Sequence, residues 1–224
     1  MFKPGKKAAE VPRSPKKQAT QRKDAVPAAQ LRIIGGRLRG SKLIYNGDPG
    51  TRPMKERVRE AAFNLVGPSI KDKLVIDLFA GTGALGLEAI SRGASHAMFI
   101  ERHRPTAATL EENIAAFQLE PQTTVAKSDT FFWAKGLPDC LVEAVGDLLA
   151  GVPWAVFCSP PYALYEEATD EMLRLIGICQ THAPKTSCII VEADARFDFE
   201  QLPQPESWDV RSYPPAELGL WRRE

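Results

Sequence analysis

Residues 75–89 read VIDLFAGTGALGLEA. A short apolar run ends on a carboxylate, three glycines follow at Gly81, Gly83 and Gly86, and the chain resumes with apolar residues at helical spacing. That order predicts a buried strand, a tight loop and a helix. The glycines let a ligand approach the backbone at the helix N-terminus. By itself G-x-G-x-x-G is a weak signal. Its surroundings strengthen it, because Glu101 closes the next apolar run, 20 residues after Gly81, where a carboxylate can accept hydrogen bonds from ribose hydroxyls.

Outward from this stretch the pattern alternates. KLVIDLF reads as a strand, AGTGALG leads into a helix through Ser91, HAMFIE is a strand, and PTAATLEENIAAF is a helix. TTVAKSD is a third strand, residues 137–150 a helix, WAVFCSPPY a fourth strand with its turn, Leu164 to about Cys179 a helix, and SCIIVEA a fifth strand. WDVRSY and LGLW form a terminal hairpin. Strands alternating with helices argue for an α/β fold whose mostly parallel sheet is covered on both faces.

The front of the chain differs. Residues 1–30 are rich in Lys, Pro, Ala and Gln and read as a disordered basic tail. LRIIGGRLRGSKLIY reads as a β-hairpin around Gly35-Gly36, carrying Arg32, Arg37, Arg39 and Lys42. TRPMKERVREAAFNLVG reads as a helix capped by Thr51, with Arg52, Lys55, Arg57 and Arg59 on its exposed face and Gly67-Pro68 ending it. Residues 31–70 are thus expected to form a hairpin and helix with a basic face, suited to contacting a polyanion such as RNA, ahead of a domain spanning 71–224.

The net charge of +1 hides an asymmetry. Residues 1–59 hold 16 Lys and Arg against 4 Asp and Glu, whereas residues 60–224 hold 13 against 24. A basic front on an acidic body fits a polyanion-binding extension on a folded module; a solubilising tail is the plainer alternative. No apolar run approaches the roughly 18 residues that span a membrane, and the first residues lack the apolar core of a signal peptide. A cytoplasmic protein with no membrane partner, acting as a monomer, is expected. Cys140, Cys158, Cys179 and Cys188 include no C-x-x-C pair, so reduced thiols and no metal site are expected.

Three carboxylates and one turn carry the chemistry. A pyrophosphate would be repelled by Asp77 beside the glycine loop. S-adenosylmethionine carries a cationic sulfonium and ammonium and no phosphate, so Asp77 suits that donor better than NAD; a cap on the loop N–H groups is the alternative. Asp129, after the third strand, can meet the adenine amine, cap the next helix, or both. The run WAVF stops at Cys158-Ser159-Pro160-Pro161-Tyr162. The prolines end the strand. A flat base can stack on Tyr162 while the Ser159 hydroxyl and the carbonyls before the prolines accept hydrogen bonds from an exocyclic amine.

Together these residues resemble the class I methyltransferases that act on exocyclic amines, a Rossmann-like fold with a seven-stranded sheet. RIIGGRLRGSKL, TRPMKERVREAAFNLVG, VIDLFAGTGALGLEAISRGA and FIE, in that order, resemble the bacterial 16S rRNA guanine-N2 methyltransferase family RsmD. The resemblance covers roughly Leu31 to Trp221. It implies that Asp77, Phe79, Gly81, Thr82 and Gly83 line the methionine end of S-adenosylmethionine, with Glu101 at its ribose and Arg102 and Asp129 at its adenine. It implies that Ser159 to Tyr162 hold the target guanine, with ribosomal RNA or the small ribosomal subunit as partner. One position departs: Ser159 stands where the family has Asp. Serine there is familiar from enzymes acting on the cytosine N4 amine, which leaves another target base, DNA as substrate, or a non-catalytic RNA-binding relative as alternatives. An NAD-dependent oxidoreductase rests on the glycine pattern alone.

Overall fold

Runs of four to seven residues, apolar in the central strands, build the sheet. They are β1 Leu74–Asp77, β2 His96–Ile100, β3 Thr123–Ala126, β4 Trp154–Cys158, β5 Cys188–Asp194, β6 Trp208–Tyr213 and β7 Ala216–Arg222. The helices are α1 Glu56–Val66, α2 Ala84–Ser91, α3 Arg104–Ala116, α4 Thr130–Ala134, α5 Asp139–Val145, α6 Leu164–Glu167 and α7 Thr169–His182. This is a computed structural model that describes Met1, residues 31–45, Gly47, residues 53–146 and residues 151–224.

The seven strands run β3-β2-β1-β4-β5-β7-β6. The first five are mutually parallel, and β7 and β6 close the edge antiparallel. Strand β1 is buried throughout, and all but the last residue of β5 is buried, as expected for strands covered on both faces. Apolar side chains fill both sides: Val75, Ala97, Phe99, Phe157 and Ile190 in one layer, Leu74, Ile76, Met98, Val156 and Ile189 in the other. The chain order reverses between β1 and β4, so the crevice for a ligand lies at the carboxyl ends of those two strands. The α/β architecture and the terminal hairpin follow the sequence reading.

Several local expectations change. Helix α1 starts at Glu56 with Lys55 at its N-cap. Thr51, the expected cap, lies outside the described residues, as do Arg52 and the tail of residues 2–30. The expected single helix from Leu164 is divided into α6 and α7 at Ala168. The hairpin reduces to one antiparallel bridge, Arg32 to Lys42, flanked by Leu43 N–H to the Leu31 carbonyl at 2.8 Å and Ile33 N–H to the Ser41 carbonyl at 2.9 Å.

Gly36 is not the tip of that hairpin. Its φ is +77°, and a Cβ there would overlap the carbonyl of Ser91 at the end of α2. The chain needs glycine because it presses on that helix end. Arg37 N–H donates to the Ser91 carbonyl at 2.8 Å, and Ser91 Oγ accepts from Leu38 N–H at 2.8 Å.

The largest correction concerns Arg59. It was expected on an exposed face, but it is fully buried. Its Nε donates to Glu88 Oε2 at 3.0 Å, and its other nitrogens reach the carbonyls of Met54 (3.3 Å) and Arg32 (2.5 Å). Glu88, also fully buried, holds Arg92 at 2.6 Å with its second oxygen. Arg59 therefore clamps the front segment onto α2 and cannot join an RNA-facing surface.

Candidate active site

Asp77 ends β1 with its side chain entirely buried. Its Oδ2 accepts from the backbone N–H of Gly86 in the first turn of α2, at 3.2 Å. A carboxylate therefore already sits at the positive end of that helix, where a dinucleotide fold would place its pyrophosphate. Asp77 Oδ1 is buried with no hydrogen-bond partner among the described residues. Burial, and secondarily the charge of Glu101, push the Asp77 carboxyl up to about 7 even though the Gly86 and Phe79 N–H groups pull it down.

The loop between β1 and α2 is shaped for close approach. Gly83 has φ +80°, and a Cβ on Gly86 would overlap the ring of Phe99 on β2. The third glycine thus serves helix–sheet packing. Thr82 is buried, and its carbonyl accepts from Asn113 Nδ2 of α3 at 3.2 Å. The same amide pairs with both backbone groups of Ile44, at 2.7 and 3.0 Å, so the front segment is tied to the glycine loop. Phe79 stands partly exposed, edge-on to Phe131 with ring centroids 6.3 Å apart.

Glu101 follows β2. One oxygen accepts from Gly81 N–H at 2.9 Å, the other from His103 N–H at 2.7 Å. The carboxylate braces the loop and stays partly exposed. Asp129 is the N-cap of α4, its Oδ1 accepting from Phe132 N–H at 3.1 Å. Its other oxygen lies 3.8 Å from the exposed Arg102. Thr130 Oγ1 donates to the Leu78 carbonyl, drawing α4 against the end of β1.

Ser159 to Tyr162 follow β4, next to β1 in the sheet. Asp77 pairs in register with Phe157, and Leu78 N–H donates to the Phe157 carbonyl at 3.0 Å. The turn and the glycine loop therefore flank the same strand junction. Pro160 is buried, and the Pro161 carbonyl accepts from Leu164 N–H at 2.9 Å, starting α6. The two polar side chains of the turn converge on one residue that the sequence reading missed. Ser159 Oγ donates to Glu192 Oε2, and Tyr162 Oη donates to Glu192 Oε1 at 2.8 Å. Glu192 lies on β5 and is only 5% exposed. Tyr165 Oη holds its backbone carbonyl at 3.0 Å. An acid in the interior of the apolar run CIIVEAD, ahead of the Asp194 that ends it, was the available signal, since a charge in a strand buried on both faces needs a partner.

Of the expected RNA-contacting residues, Arg32, Arg37, Arg39, Lys42, Lys55 and Arg57 are exposed. Arg32 pairs with Glu56 at 2.8 Å, Arg37 donates to Gln122 Oε1 at 2.7 Å, and Arg57 to the Pro214 carbonyl at 2.6 Å.

Residues 31–213 match a family model described as Conserved hypothetical protein 95. "Ribosomal RNA small subunit methyltransferase D" of Buchnera aphidicola (subsp. Acyrthosiphon pisum) is 34% identical over 182 residues, covering 81% of this chain and 86% of that protein. The Escherichia coli K12 protein of the same name is 44% identical over 116 residues. That match spans 51% of this chain and 59% of the E. coli protein. Among solved structures, the candidate methyltransferase yhhF of Escherichia coli superposes with a TM-score of 0.67 at 28% identity, covering 87% of this chain and 98% of that one.

Proposed function

The chain belongs to the Conserved hypothetical protein 95 family, which takes in the small-subunit rRNA methyltransferases D, and on that footing we propose that it methylates the exocyclic N2 amine of a guanine in small-subunit ribosomal RNA, using S-adenosylmethionine. The observation that carries the reading is the junction of β1 and β4. A buried carboxylate with one unpaired oxygen lies on the glycine-loop side, and a Ser-Pro-Pro-Tyr turn on the other.

The residues present fit that donor. Asp77 Oδ1 lacks a partner in a site that already excludes a phosphate, which suits an ammonium or sulfonium. Asp77, Phe79, Gly81, Thr82 and Gly83 would hold the methionine end. Glu101 would take the ribose hydroxyls, and Arg102 and Asp129 the adenine edge. When bound, the donor supplies a methyl carbon whose bond to sulfur breaks as the amine nitrogen bonds to it, leaving a neutral thioether. Tyr162 would stack the base, and Ser159 with the turn carbonyls would orient the amine so that its lone pair faces that carbon. The methylated nitrogen then loses a proton to water. Arg32, Arg37, Arg39, Lys42, Lys55 and Arg57 would contact RNA phosphates without reading sequence.

Ser159 favours a second reading, an amine on cytosine or adenine. The test is methyl transfer from labelled donor to small ribosomal subunits lacking their methylations, followed by mass spectrometry of the nucleosides. N2-methylguanosine is expected. N4-methylcytidine or N6-methyladenosine would replace the target base, and no transfer despite bound donor would overturn the reading.

A further inference from the structure

Ser159 removes a charge from the turn, yet the pocket is not without one. The strand beside it supplies Glu192. Cys158 pairs in register with Val191, so Glu192, within β5, lies at the level where Ser159 follows β4. Its carboxylate receives two O–H donors, one on each oxygen, from the first and last residues of Ser159-Pro160-Pro161-Tyr162. Its backbone is fixed by Tyr165, whose ring packs on Phe197 with centroids 4.4 Å apart. This is an acceptor–acceptor pair held rigidly at the target-base turn.

The amine-bearing bases differ in what they show such a pair. Guanine presents two adjacent donors, N1–H and N2–H. Cytosine presents the N4 amine beside the N3 acceptor, and adenine the N6 amine beside the N1 acceptor. A carboxylate accepts and does not donate when ionised, so it meets both guanine hydrogens and opposes a lone pair on either other base. We propose that Glu192 is the guanine-selecting residue of this site, its two oxygens taking N1–H and N2–H in the positions where the Ser159 and Tyr162 hydroxyls now donate. The acid that the turn lacks at Ser159 thus reaches the same place from β5. This rests on the methyltransferase reading and sharpens its substrate.

2-Aminopurine separates the two ideas. It keeps the reacting N2 amine, but its N1 is an acceptor. Small subunits would be reconstituted from ligated 16S rRNA carrying guanine or 2-aminopurine at the position the wild-type enzyme modifies. Wild type is expected to favour guanine by about 10- to 100-fold in kcat/KM, the range of one charge-assisted hydrogen bond lost. Glu192→Gln accepts at one atom and donates at the other, so the preference should fall to near one or reverse, with donor affinity by calorimetry unchanged. Ser159→Ala keeps the carboxylate and should keep the guanine preference. Equal wild-type rates on the two bases would overturn the assignment even if Glu192→Gln proved unstable. So would a Glu192→Gln that slows both bases in parallel, the mark of a structural residue. Failure of wild type to methylate any guanine would instead sink the parent reading.

Discussion

Asp77 is costly to the unliganded protein. Burial raises its carboxyl to about 7, whereas an unfolded aspartate ionises near 3.9. Between those values the native state binds the proton that the unfolded chain has released, so its contribution to stability declines as pH rises and is fully lost above 7. From pH 5 to pH 8 that decline is about 2–3 kcal/mol. Asp77→Asn has no proton to lose. Denaturant titrations should therefore show the stability of wild type falling relative to Asp77→Asn by that amount across this range. A bound cation would oppose the upward shift, so donor affinity should drop below pH 7 in wild type and be at least tenfold weaker at pH 8 in the variant. Parallel pH profiles for the two proteins would remove the buried charge from the explanation.

Helix α2 holds the front segment through Glu88, which takes Arg59 at 3.0 Å and Arg92 at 2.6 Å in one buried cluster. Removing one partner strands a charge in the interior, so Glu88→Ala or Arg59→Ala should cost about 3–5 kcal/mol. The double variant Arg59→Met/Glu88→Leu should cost clearly less than the two single changes added, as measured by chemical denaturation; simple additivity would argue against the cluster acting as a unit. This element also shows where reading the sequence stops. The β-α alternation and the glycine loop were legible because burial on both faces imposes apolar runs and a ligand loop imposes glycines. Arg59 was misplaced because a charge is usually solvated. Yet the buried residues of α1 are Val58, Arg59, Ala61, Ala62, Phe63 and Val66, so Arg59 lies inside the apolar stripe. Glu192 and Asn113 escaped for a related reason. Their partners, Ser159 and Tyr162 in one case and Thr82 and Ile44 in the other, are 30 to 69 residues away in the chain and meet only through the sheet order.

Across the whole molecule, positive charge gathers in front of a negatively charged body, with 16 of the 29 Lys and Arg in the first 59 residues. The folded part of that front is not independent of the catalytic half, because Asn113 and Glu88 tie Ile44 and Arg59 to the glycine loop and α2. RNA held there would be held in fixed relation to the strand junction. Arg39, Lys42 and Lys55 are exposed members of this front that carry no part of the buried cluster. Each phosphate contact releases counterions, so binding weakens with salt in proportion to the number of contacts. Arg39→Gln/Lys42→Gln/Lys55→Gln should reduce the slope of log affinity against log salt by roughly 2–3 if all three meet phosphates. Filter binding to small-subunit rRNA over a range of salt concentrations measures it, while calorimetry should show donor affinity unaltered. An unchanged slope would place the RNA on another surface; a changed slope with lost donor binding would mean that the substitutions had disturbed the glycine loop through the Ile44–Asn113–Thr82 connection.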